Sequence, residues 1–441
     1  MSKRNLLLLL PLLLCPFTGA RSADDVLKLY FKSIGIQQGL SHQMVNAIVK
    51  DPQGFIWIGT AEGLNRYDGT EFHVYRHEPG NPGSLSTSWI NCLYITRDGR
   101  LFIGTEKGVN VYNSQKENFE RISAENDSRN LLGNLRIRCF CEDSKGCLWI
   151  GTLDGLIRFD RRSGRINFYK LNHYDRDKMH NEVRSLCEDS AGRLWIGTFD
   201  GLYCRETESG VFKSVPLKGN PGDGNCLISG LHIQPEDPHT LYIAATGGLR
   251  VFDTETGGER HYHTANSGIA SNDVRDVTRY DATHVLAATS SGLSVFDIPS
   301  GGFTNFANSI TDPVSLPTQI VRCLFQDDNG LVWLGTNYGV ACCNSHRRPI
   351  DVHYINDTDA EGHTTRETIT DIAVLPGEIW IGTNNGLMCY SPDMRLKRHF
   401  TTKNSLLPHN NIKRILTDRS GIMWIGTNNG VVYLDKNRTT L

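Results

Sequence analysis

One short motif, Trp-Ile-Gly-Thr, returns along this chain at a nearly constant spacing. In complete or degenerate form, its tryptophan position falls at residues 57, 102, 149, 195, 242, 286, 333, 380 and 424. Neighbouring copies are 44 to 47 residues apart, which gives nine repeats of about 46 residues. Such a period is typical of architectures in which each repeat forms one unit and buries its apolar surface against its neighbours.

Each repeat predicts four short β-strands. In the first repeat, apolar residues alternate with period two, which favours strands and excludes the 3.6-residue period of helical repeats. Turns separate the strand segments, which cover residues 45–49, 55–60, 64–68 and 71–75. Gly59 and Gly63 are expected to permit the hairpin between the second and third strands. The repeats therefore predict an all-β fold, a β-propeller of four-stranded antiparallel blades, with the motif tryptophan packed between blades.

Nine blades can close in two ways. Residues 27–32 precede the first repeat and are expected to form a strand that completes a later blade. If they complete the seventh repeat, residues 23–348 form a seven-bladed propeller and residues 349–441 begin a second propeller with repeats eight and nine. If they complete the ninth repeat, the chain forms one nine-bladed ring. An irregular connection near residue 348 favours the seven-plus-two arrangement.

The N-terminus predicts export. Lys3 and Arg4 precede an apolar run at residues 6–14, which is too short to span a bilayer, so residues 1–22 are expected to be a signal peptide. The protein is then periplasmic, and its later sequence predicts no membrane span. A formal net charge of −2 gives no electrostatic reason to expect nucleic acid as a partner.

Cysteine and histidine positions argue against disulfides and metal. Cys92, Cys139 and Cys323 all stand ten residues before the tryptophan position, where other repeats place small strand residues. They are expected to be small buried side chains rather than a disulfide framework. The segment His261-Tyr262-His263 offers two possible metal ligands, but no second pair of ligands lies at a metal-binding spacing. No cofactor motif and no catalytic motif is present, so the chain is not expected to be an enzyme.

A polar residue recurs eleven positions before the tryptophan position. The residues at this position are Asn46, Asn91, Arg138, Arg184, Arg275, Arg322 and Lys413. They predict a ring of polar, mostly basic side chains near the propeller axis. Two interpretations stay open. These arginines bind a ligand, or they pair with repeat carboxylates such as Asp143, Asp189 or Glu142 or with carbonyl groups that line the channel.

Loop residues complete the predicted site. Phe199, Asp200 and Tyr338 lie in the tips between the second and third strands, and Trp89 directly precedes a first strand. Aromatic faces beside amides, carboxylates and guanidinium groups suit an oligosaccharide. The predicted ligand-binding residues are Trp89, Arg138, Arg184, Phe199, Asp200, Arg275, Arg322 and Tyr338. Alternatively, Phe199 and Tyr338 only cover neighbouring blades.

The repeat resembles a known family. Asp51 and Gly54, followed by Ile56-Trp57-Ile58-Gly59-Thr60 and then Gly63-Leu64, resemble the two-component regulator propeller repeat. Over residues 25–441 the chain is similar to the N-terminal periplasmic sensor region of a Bacteroides-type hybrid two-component histidine kinase. The resemblance implies an oligosaccharide ligand, control of polysaccharide utilisation and a homodimer in the full-length receptor. The sequence stops after the ninth repeat, so kinase activity is not expected here. Alternative functions are a carbohydrate-active propeller enzyme (lyase or hydrolase) and a protein-interaction scaffold.

Overall fold

A computed structural model describes residues 27–171, 181–207, 210–218, 226–344, 355–358 and 364–434. The predicted signal peptide, residues 1–22, lies outside the described residues, and so does the predicted boundary between residues 348 and 349. The chain divides into two compact units. The first contains residues 1–308 and 314–347, and the second contains residues 309–313 and 348–441.

The first unit consists of seven four-stranded antiparallel sheets, which confirms the predicted propeller blades. Strand β1 (Lys32–Ile34) and a 3-10 helix (Ile36–Gln38) precede the first blade. Blades 1 and 2 contain β2 (Val45–Lys50), β3 (Ile56–Thr60), β4 (Gly63–Tyr67), β5 (Phe72–Tyr75), β6 (Ile90–Ile95), β7 (Leu101–Thr105), β8 (Gly108–Asn113) and β9 (Asn118–Arg121). A short helix α1 (Leu131–Asn134) follows blade 2.

Blades 3 to 7 repeat the same order. Blades 3 and 4 contain β10 (Ile137–Glu142), β11 (Leu148–Thr152), β12 (Gly155–Asp160), β13 (Arg165–Tyr169), β14 (Val183–Glu188), β15 (Leu194–Thr198), β16 (Gly201–Arg205) and β17 (Phe212–Val215). Blades 5 and 6 contain β18 (Ile228–Gln234), β19 (Asp237–Ala245), β20 (Gly248–Asp253), β21 (Glu259–Tyr262), β22 (Val274–Arg279), β23 (His284–Thr289), β24 (Gly292–Asp297) and β25 (Gly302–Phe306). Blade 7 contains β26 (Val321–Gln326), β27 (Leu331–Thr336) and β28 (Gly339–Asn344), and β1 is its fourth strand.

The seven blades close into a ring. The first strand of each blade contacts the first strand of the next, from β2 through β6 to β26, and β26 contacts β2 again. These seven strands therefore surround the axis. Strand β1 closes the ring by pairing with β28, with Lys32 opposite Cys342 and Ile34 opposite Val340. It completes the seventh blade, as in the seven-plus-two arrangement of the predicted fold.

The closing strand lies later in the chain than expected. The prediction placed it at residues 27–32, whereas the structure has it at Lys32–Ile34. Phe31 is buried, and its ring packs edge to face against Phe306, with centroids 6.0 Å apart. Its backbone N–H donates to the carbonyl oxygen of Val314 at 2.7 Å. The apolar residues of this segment thus enter the core beside blade 6 instead of pairing in the sheet.

The motif tryptophans pack between blades, as predicted. Trp57 and Trp149 are fully buried. Their indole N–H groups also find a partner that the sequence interpretation missed, because an aspartate in the preceding turn accepts each bond. The distances are 2.7 Å from Trp57 to Asp51 and 2.9 Å from Trp149 to Asp143. A buried indole would otherwise lack a hydrogen-bond partner.

The two motif glycines have different roles, which corrects the prediction that both permit the hairpin. Gly63 has a φ of 135°, so the turn requires it. Gly59 lies within β3, where an added Cβ would stand 2.5 Å from Cγ2 of Ile90 in the next blade. Gly59 therefore makes room for the first strand of the neighbouring blade.

The second unit continues the repeat. It begins with the strand pair β29 (Asn356–Thr358) and β30 (Thr364–Arg366). Its first blade contains β31 (Ile369–Leu375), β32 (Glu378–Thr383), β33 (Gly386–Tyr390) and β34 (Leu396–Phe400), and its second contains β35 (Ile412–Thr417), β36 (Met423–Thr427) and β37 (Gly430–Leu434). Trp380 is fully buried between the two blades, whereas Trp424 of the second blade is 41% exposed. That these blades begin a second propeller over residues 349–441 stays a prediction.

Cys92, Cys139 and Cys323, which share one repeat position, carry free thiols in the part of the chain that the structure describes. Burial raises the pKa of Cys323 and of Cys141 to about 12. Such thiols are protonated at neutral pH and are poor nucleophiles. They pack as small side chains.

Candidate functional site

A β-bulge places the predicted polar ring at the axis. The first strand of every blade in the ring has a register shift that leaves its second residue unpaired. In β14, for example, Val183 and Ser185 pair with β15, and Arg184 between them does not. A bulge re-aims the unpaired side chain out of the sheet. The seven bulge residues of the first unit are Asn46, Asn91, Arg138, Arg184, Ser229, Arg275 and Arg322.

The fifth member of this ring, Ser229, was missed by counting from the tryptophan position. The hairpin between β18 and β19 is longer than in the other blades and has a second register shift after Ile233. The count therefore fails in this blade, although the bulge between Ile228 and Gly230 is the same.

The seven ring side chains line one cavity of about 650 Å³. Four further lining residues directly precede a first strand, namely Trp89, Arg136, Leu227 and Asp273, and one, Glu106, stands at the tip between β7 and β8. The tips are tied to the strand entries by backbone hydrogen bonds. The N–H of Ser290, for example, donates to the carbonyl oxygen of Asp273 at 3.1 Å. Backbone hydrogen bonds thus hold the tips and the strand entries together at the mouth of the cavity.

One side of the cavity combines an aromatic ring with an acid. The Trp89 indole N–H donates to Oδ1 of Asn91 at 3.0 Å, and the Asn91 amide donates to Oε1 of Glu106 at 3.0 Å. Glu106 also forms an ion pair with Arg136. This chain of contacts orients Trp89, which is 39% exposed and is the aromatic residue among the described lining residues.

The other side carries arginines with unequal partners. Arg138 Nε lies 2.7 Å from the buried Glu182 carboxylate, and Arg275 donates to Asp273 at 2.9 Å. Arg184 Nε is 3.9 Å from the same Glu182. Each of the first two arginines has its own acid, whereas Arg184 shares one that Arg138 already occupies.

Arg322 is bound to amides alone. Its guanidinium donates to Oδ1 of Asn46 at 3.0 Å and to Oδ1 of Asn337 at 3.3 Å. Among the described residues it has no carboxylate within ion-pair distance, and its Nε is buried without a hydrogen-bond partner. The positive charge of Arg322 is therefore not neutralised by the part of the protein that the structure describes.

The arginines influence each other's protonation. Burial is the largest cause that lowers the pKa of Arg322, and the charges of Arg275 and Arg184 lower it further. Burial also lowers the pKa of Arg184, with Glu182 opposing and Arg138 adding to this shift. The like charges of these arginines thus disfavour one another's protonated forms.

The three acids expected as partners, Asp143, Asp189 and Glu142, do not pair with the ring arginines, although Arg138 and Arg275 pair with the acids Glu182 and Asp273. Asp143 and Asp189 accept the indole N–H groups of Trp149 and Trp195, at 2.9 Å and 2.8 Å. Glu142 accepts the backbone N–H of Arg97 at 2.8 Å. The physical reason is distance, because these acids lie at or just beyond the far end of the first strand and each strand residue adds about 3.3 Å.

The predicted tip residues stand outside the cavity. Phe199 is half-buried, and its N–H donates to the Glu182 carbonyl oxygen at 3.1 Å. The Asp200 N–H donates to Oγ1 of Thr198 at 3.1 Å. Tyr338 is 61% exposed. The structure thus brings together Trp89, Arg138, Arg184, Arg275 and Arg322, but not Phe199, Asp200 and Tyr338, whose ligand contact stays a prediction.

Two further properties concern the described residues as a whole. Over these ranges, no group of three or more His, Cys, Asp or Glu side chains is arranged to hold a metal ion. Nor do the same ranges contain a helix with the length and apolar character needed to cross a membrane.

The closed ring of seven antiparallel blades and its polar axial cavity define the class of this chain, a β-propeller repeat protein. Its repeats match the family model described as "Two component regulator propeller" at residues 39–62, 84–107, 130–154, 177–200, 315–338 and 406–429. Six of its repeats are thus similar to the two-component regulator propeller repeat. A segment of 56 residues, 13% of this chain, is 43% identical to Histidine kinase P4 of Formosa agariphila, of which it covers 4%.

Solved structures show the same fold. The extracellular domain of BT4673 from B. thetaiotaomicron, described as a hybrid two component system, has a TM-score of 0.61 and 23% identity over 93% of this chain. That of BT3049 has a TM-score of 0.60 and 19% identity over 94% of this chain. This chain spans 53% and 66% of those two domains. A streptogramin B lyase, 12% identical with a TM-score of 0.54, shares the fold over 72% of this chain.

Proposed function

We propose that this chain is the periplasmic, ligand-sensing region of a two-component signalling receptor and that its axial cavity binds an oligosaccharide. The observation that carries the proposal is the cavity of about 650 Å³, where Trp89 faces a ring of amides and guanidinium groups. Two comparisons support it: the repeats are of the two-component regulator type, and similar structures are described as extracellular domains of two component systems.

The lining suits a sugar. Cavities of about 300–1,000 Å³ are typical of small-ligand sites, and this one falls within that range. The Trp89 ring offers a flat face for the apolar side of a pyranose, and it is held in place by Asn91 at 3.0 Å. Asn46 and Asn91 supply amide groups, and Ser229 a hydroxyl, for sugar hydroxyls.

Signalling would follow from population shift. A ligand that binds one arrangement of the receptor more tightly than another changes their ratio by its difference in binding free energy. In the full-length receptor, which we propose to be a homodimeric hybrid histidine kinase, that shift would control polysaccharide-utilisation genes. Residues 1–22 would direct export of the chain. The kinase would lie in a part of the receptor other than the blades.

A carbohydrate-active enzyme is the main rival function, because a lyase shares the fold. The cavity argues against it, since both lining carboxylates, Glu106 and Asp273, are bound to arginines. A glycosidase would instead need one carboxyl group available as a proton donor. A protein-interaction scaffold, the third possibility, would not require the oriented Trp89.

Binding without turnover is the test. The purified chain is incubated with oligosaccharides, binding is measured by calorimetry, and the sugars are then analysed by chromatography. We expect binding with unchanged sugars, and about tenfold or greater weakening by Trp89→Ala or Arg138→Ala. Tyr433→Ala, at a residue 57% exposed in the second unit, is the control. Cleavage products would sink the sensor function, and unchanged affinity in both variants would remove this cavity from the binding site.

A further inference from the structure

The charge of the axial cavity is unevenly distributed around the ring. Blades 1 and 2 contribute the neutral amides Asn46 and Asn91 at the bulge position. Four of the remaining five blades contribute an arginine there, and Ser229 of blade 5 leaves space between them. The cavity thus has an aromatic, amide-rich side and a cationic side.

Two of these arginines, Arg184 and Arg322, are less fully compensated by the described residues than the other two. Arg138 and Arg275 each contact an acid, at 2.7 Å and 2.9 Å. Arg184 lies 3.9 Å from the acid that Arg138 occupies, and Arg322 reaches amide oxygens alone. A buried guanidinium without a counter-charge is unfavourable unless something negative joins it.

These two arginines line the same cavity from different blades, Arg184 from blade 4 and Arg322 from blade 7. The positive charge of Arg184 lowers the pKa of Arg322. An anion at the axis would turn this repulsion into two attractive contacts. Guanidinium groups bind carboxylate and sulfate oxygens through paired, charge-assisted hydrogen bonds.

We infer that the oligosaccharide bound in this cavity carries an anionic group, a carboxylate or a sulfate ester, which Arg184 and Arg322 bind while Trp89 packs against a sugar ring. This inference rests on the proposed function, because it names the class of ligand for the same cavity. A neutral sugar would leave both guanidinium groups as they are, whereas an acidic sugar would complete their hydrogen bonding at the Arg322 Nε.

A structural role for the two arginines is the competing explanation. An arginine that holds blades together makes ion pairs or several carbonyl contacts across the blade boundary. Arg250 shows such a role in blade 5, where its fully buried side chain pairs with Glu259 and donates to the Lys218 carbonyl oxygen at 2.7 Å. Arg184 has no hydrogen bond among the described residues and is 31% exposed, so it does not fit that role.

The test begins with a glycan array that contains uronate, sulfated and neutral oligosaccharides. We expect the chain to bind uronate-bearing or sulfated members and not their methyl-esterified or desulfated counterparts. The carboxylate and sulfate members of the array distinguish the two sources of the charge. Binding of neutral members with equal strength would overturn this inference and leave the proposed function standing. Failure to bind any member would overturn both.

Single substitutions then test whether Arg184 and Arg322 bind the anionic group of the ligand. For the bound acidic oligosaccharide, calorimetry should show about tenfold or greater weakening in Arg184→Gln and in Arg322→Gln, because each loses a charge-assisted contact. Arg322→Lys keeps the charge and should recover part of the affinity. Arg165→Gln, on the exposed surface of β13, is the matched control and should not change it.

Two further measurements distinguish the loss of a ligand contact from a general loss of folding. Thermal unfolding should be little changed in Arg184→Gln, because Arg184 makes no hydrogen bond among the described residues, whereas Arg322→Gln also removes the contact to Asn46 of blade 1. Arg184→Gln therefore separates a loss of binding from a loss of stability. Affinity should fall with added salt for the wild-type chain and less so for Arg184→Gln. Acidic ligands that bind Arg184→Gln and Arg322→Gln as well as they bind the wild type would refute the inference.

Discussion

Replacing the motif glycine by alanine tests how the blades pack. Gly382 and Gly426 occupy the same repeat position in the two blades of the second unit. A Cβ at Gly382 would stand 2.6 Å from Cγ2 and 3.0 Å from Cβ of Ile412, the first residue of the next blade. A Cβ at Gly426 would meet its nearest atom, of Arg414, at 3.9 Å. One substitution therefore collides with a neighbouring blade and the other does not.

Gly382→Ala is expected to lower the free energy of unfolding, whereas Gly426→Ala is expected to raise it. Ile412 is fully buried and its β-branched side chain has little rotational freedom, so it cannot move out of the way. Overpacking of this kind costs about 1–3 kcal/mol. Alanine in a strand gains roughly 0.5–1 kcal/mol over glycine. Gly382→Ala should therefore lose about 1–2 kcal/mol of stability, and Gly426→Ala should gain about 0.5 kcal/mol.

Hydrogen exchange of the two variants, followed by mass spectrometry, can read each unit separately. Peptides within residues 369–434 report the free energy of opening of the second unit, and peptides from blade 1 serve as the internal control. Blade 1 should be unchanged in both variants. Equal losses for Gly382→Ala and Gly426→Ala, or no loss for Gly382→Ala, would refute the argument that this glycine makes room for the next blade.

Two further perturbations follow from burial. Trp57→Ala should lower the free energy of unfolding by about 3–5 kcal/mol, because Trp57 is fully buried. Trp424→Ala should lower it much less, because Trp424 is 41% exposed. Equal losses of hydrogen-exchange protection in the two variants would contradict the packing argument. Burial raises the pKa of Asp276 from 3.8 to about 6, although its carboxylate accepts the N–H of Leu324 at 2.8 Å. The native state therefore holds this proton more tightly than the unfolded chain. The free energy of unfolding of the wild type should therefore be highest, relative to that of Asp276→Asn, below about pH 4. It should fall relative to that variant by roughly 3 kcal/mol as the pH rises through 6. Parallel urea-unfolding curves for both proteins across that range would refute the shift.

The sequence predicts the fold well because the repeat carries redundant information. Period-two alternation and the recurring motif fix four strands in each blade, and the structure agrees in all seven blades of the ring. Local pattern does not decide which residues of an apolar segment pair and which enter the core. By composition Phe31 is a strand residue, yet its ring packs against Phe306 in the core, and the strand lies at Lys32–Ile34.

The site is predicted less completely, for reasons of geometry. The ring arginines share one register, so counting finds them. Glu106 and Asp273 occupy different repeat positions, in a tip and before a strand, and only the closed ring brings both to the cavity. Counting also suggested acids that lie near in sequence, such as Glu142. Those acids stand about four strand residues from Arg138, roughly 13 Å away along the strand.

The bulge explains why this one register can vary in chemistry while the blade does not. It recurs in the second unit, where Thr370 and Lys413 are the unpaired residues of β31 and β35. Because the unpaired residue contributes no ladder contact, its side chain can change from amide to hydroxyl to guanidinium without altering the strand. Its neighbours in β14 lie under packing constraints, since Val183 is fully buried. The propeller fold therefore does not require arginine at this position, and the four arginines of the ring set the charge of the cavity rather than the shape of the blades.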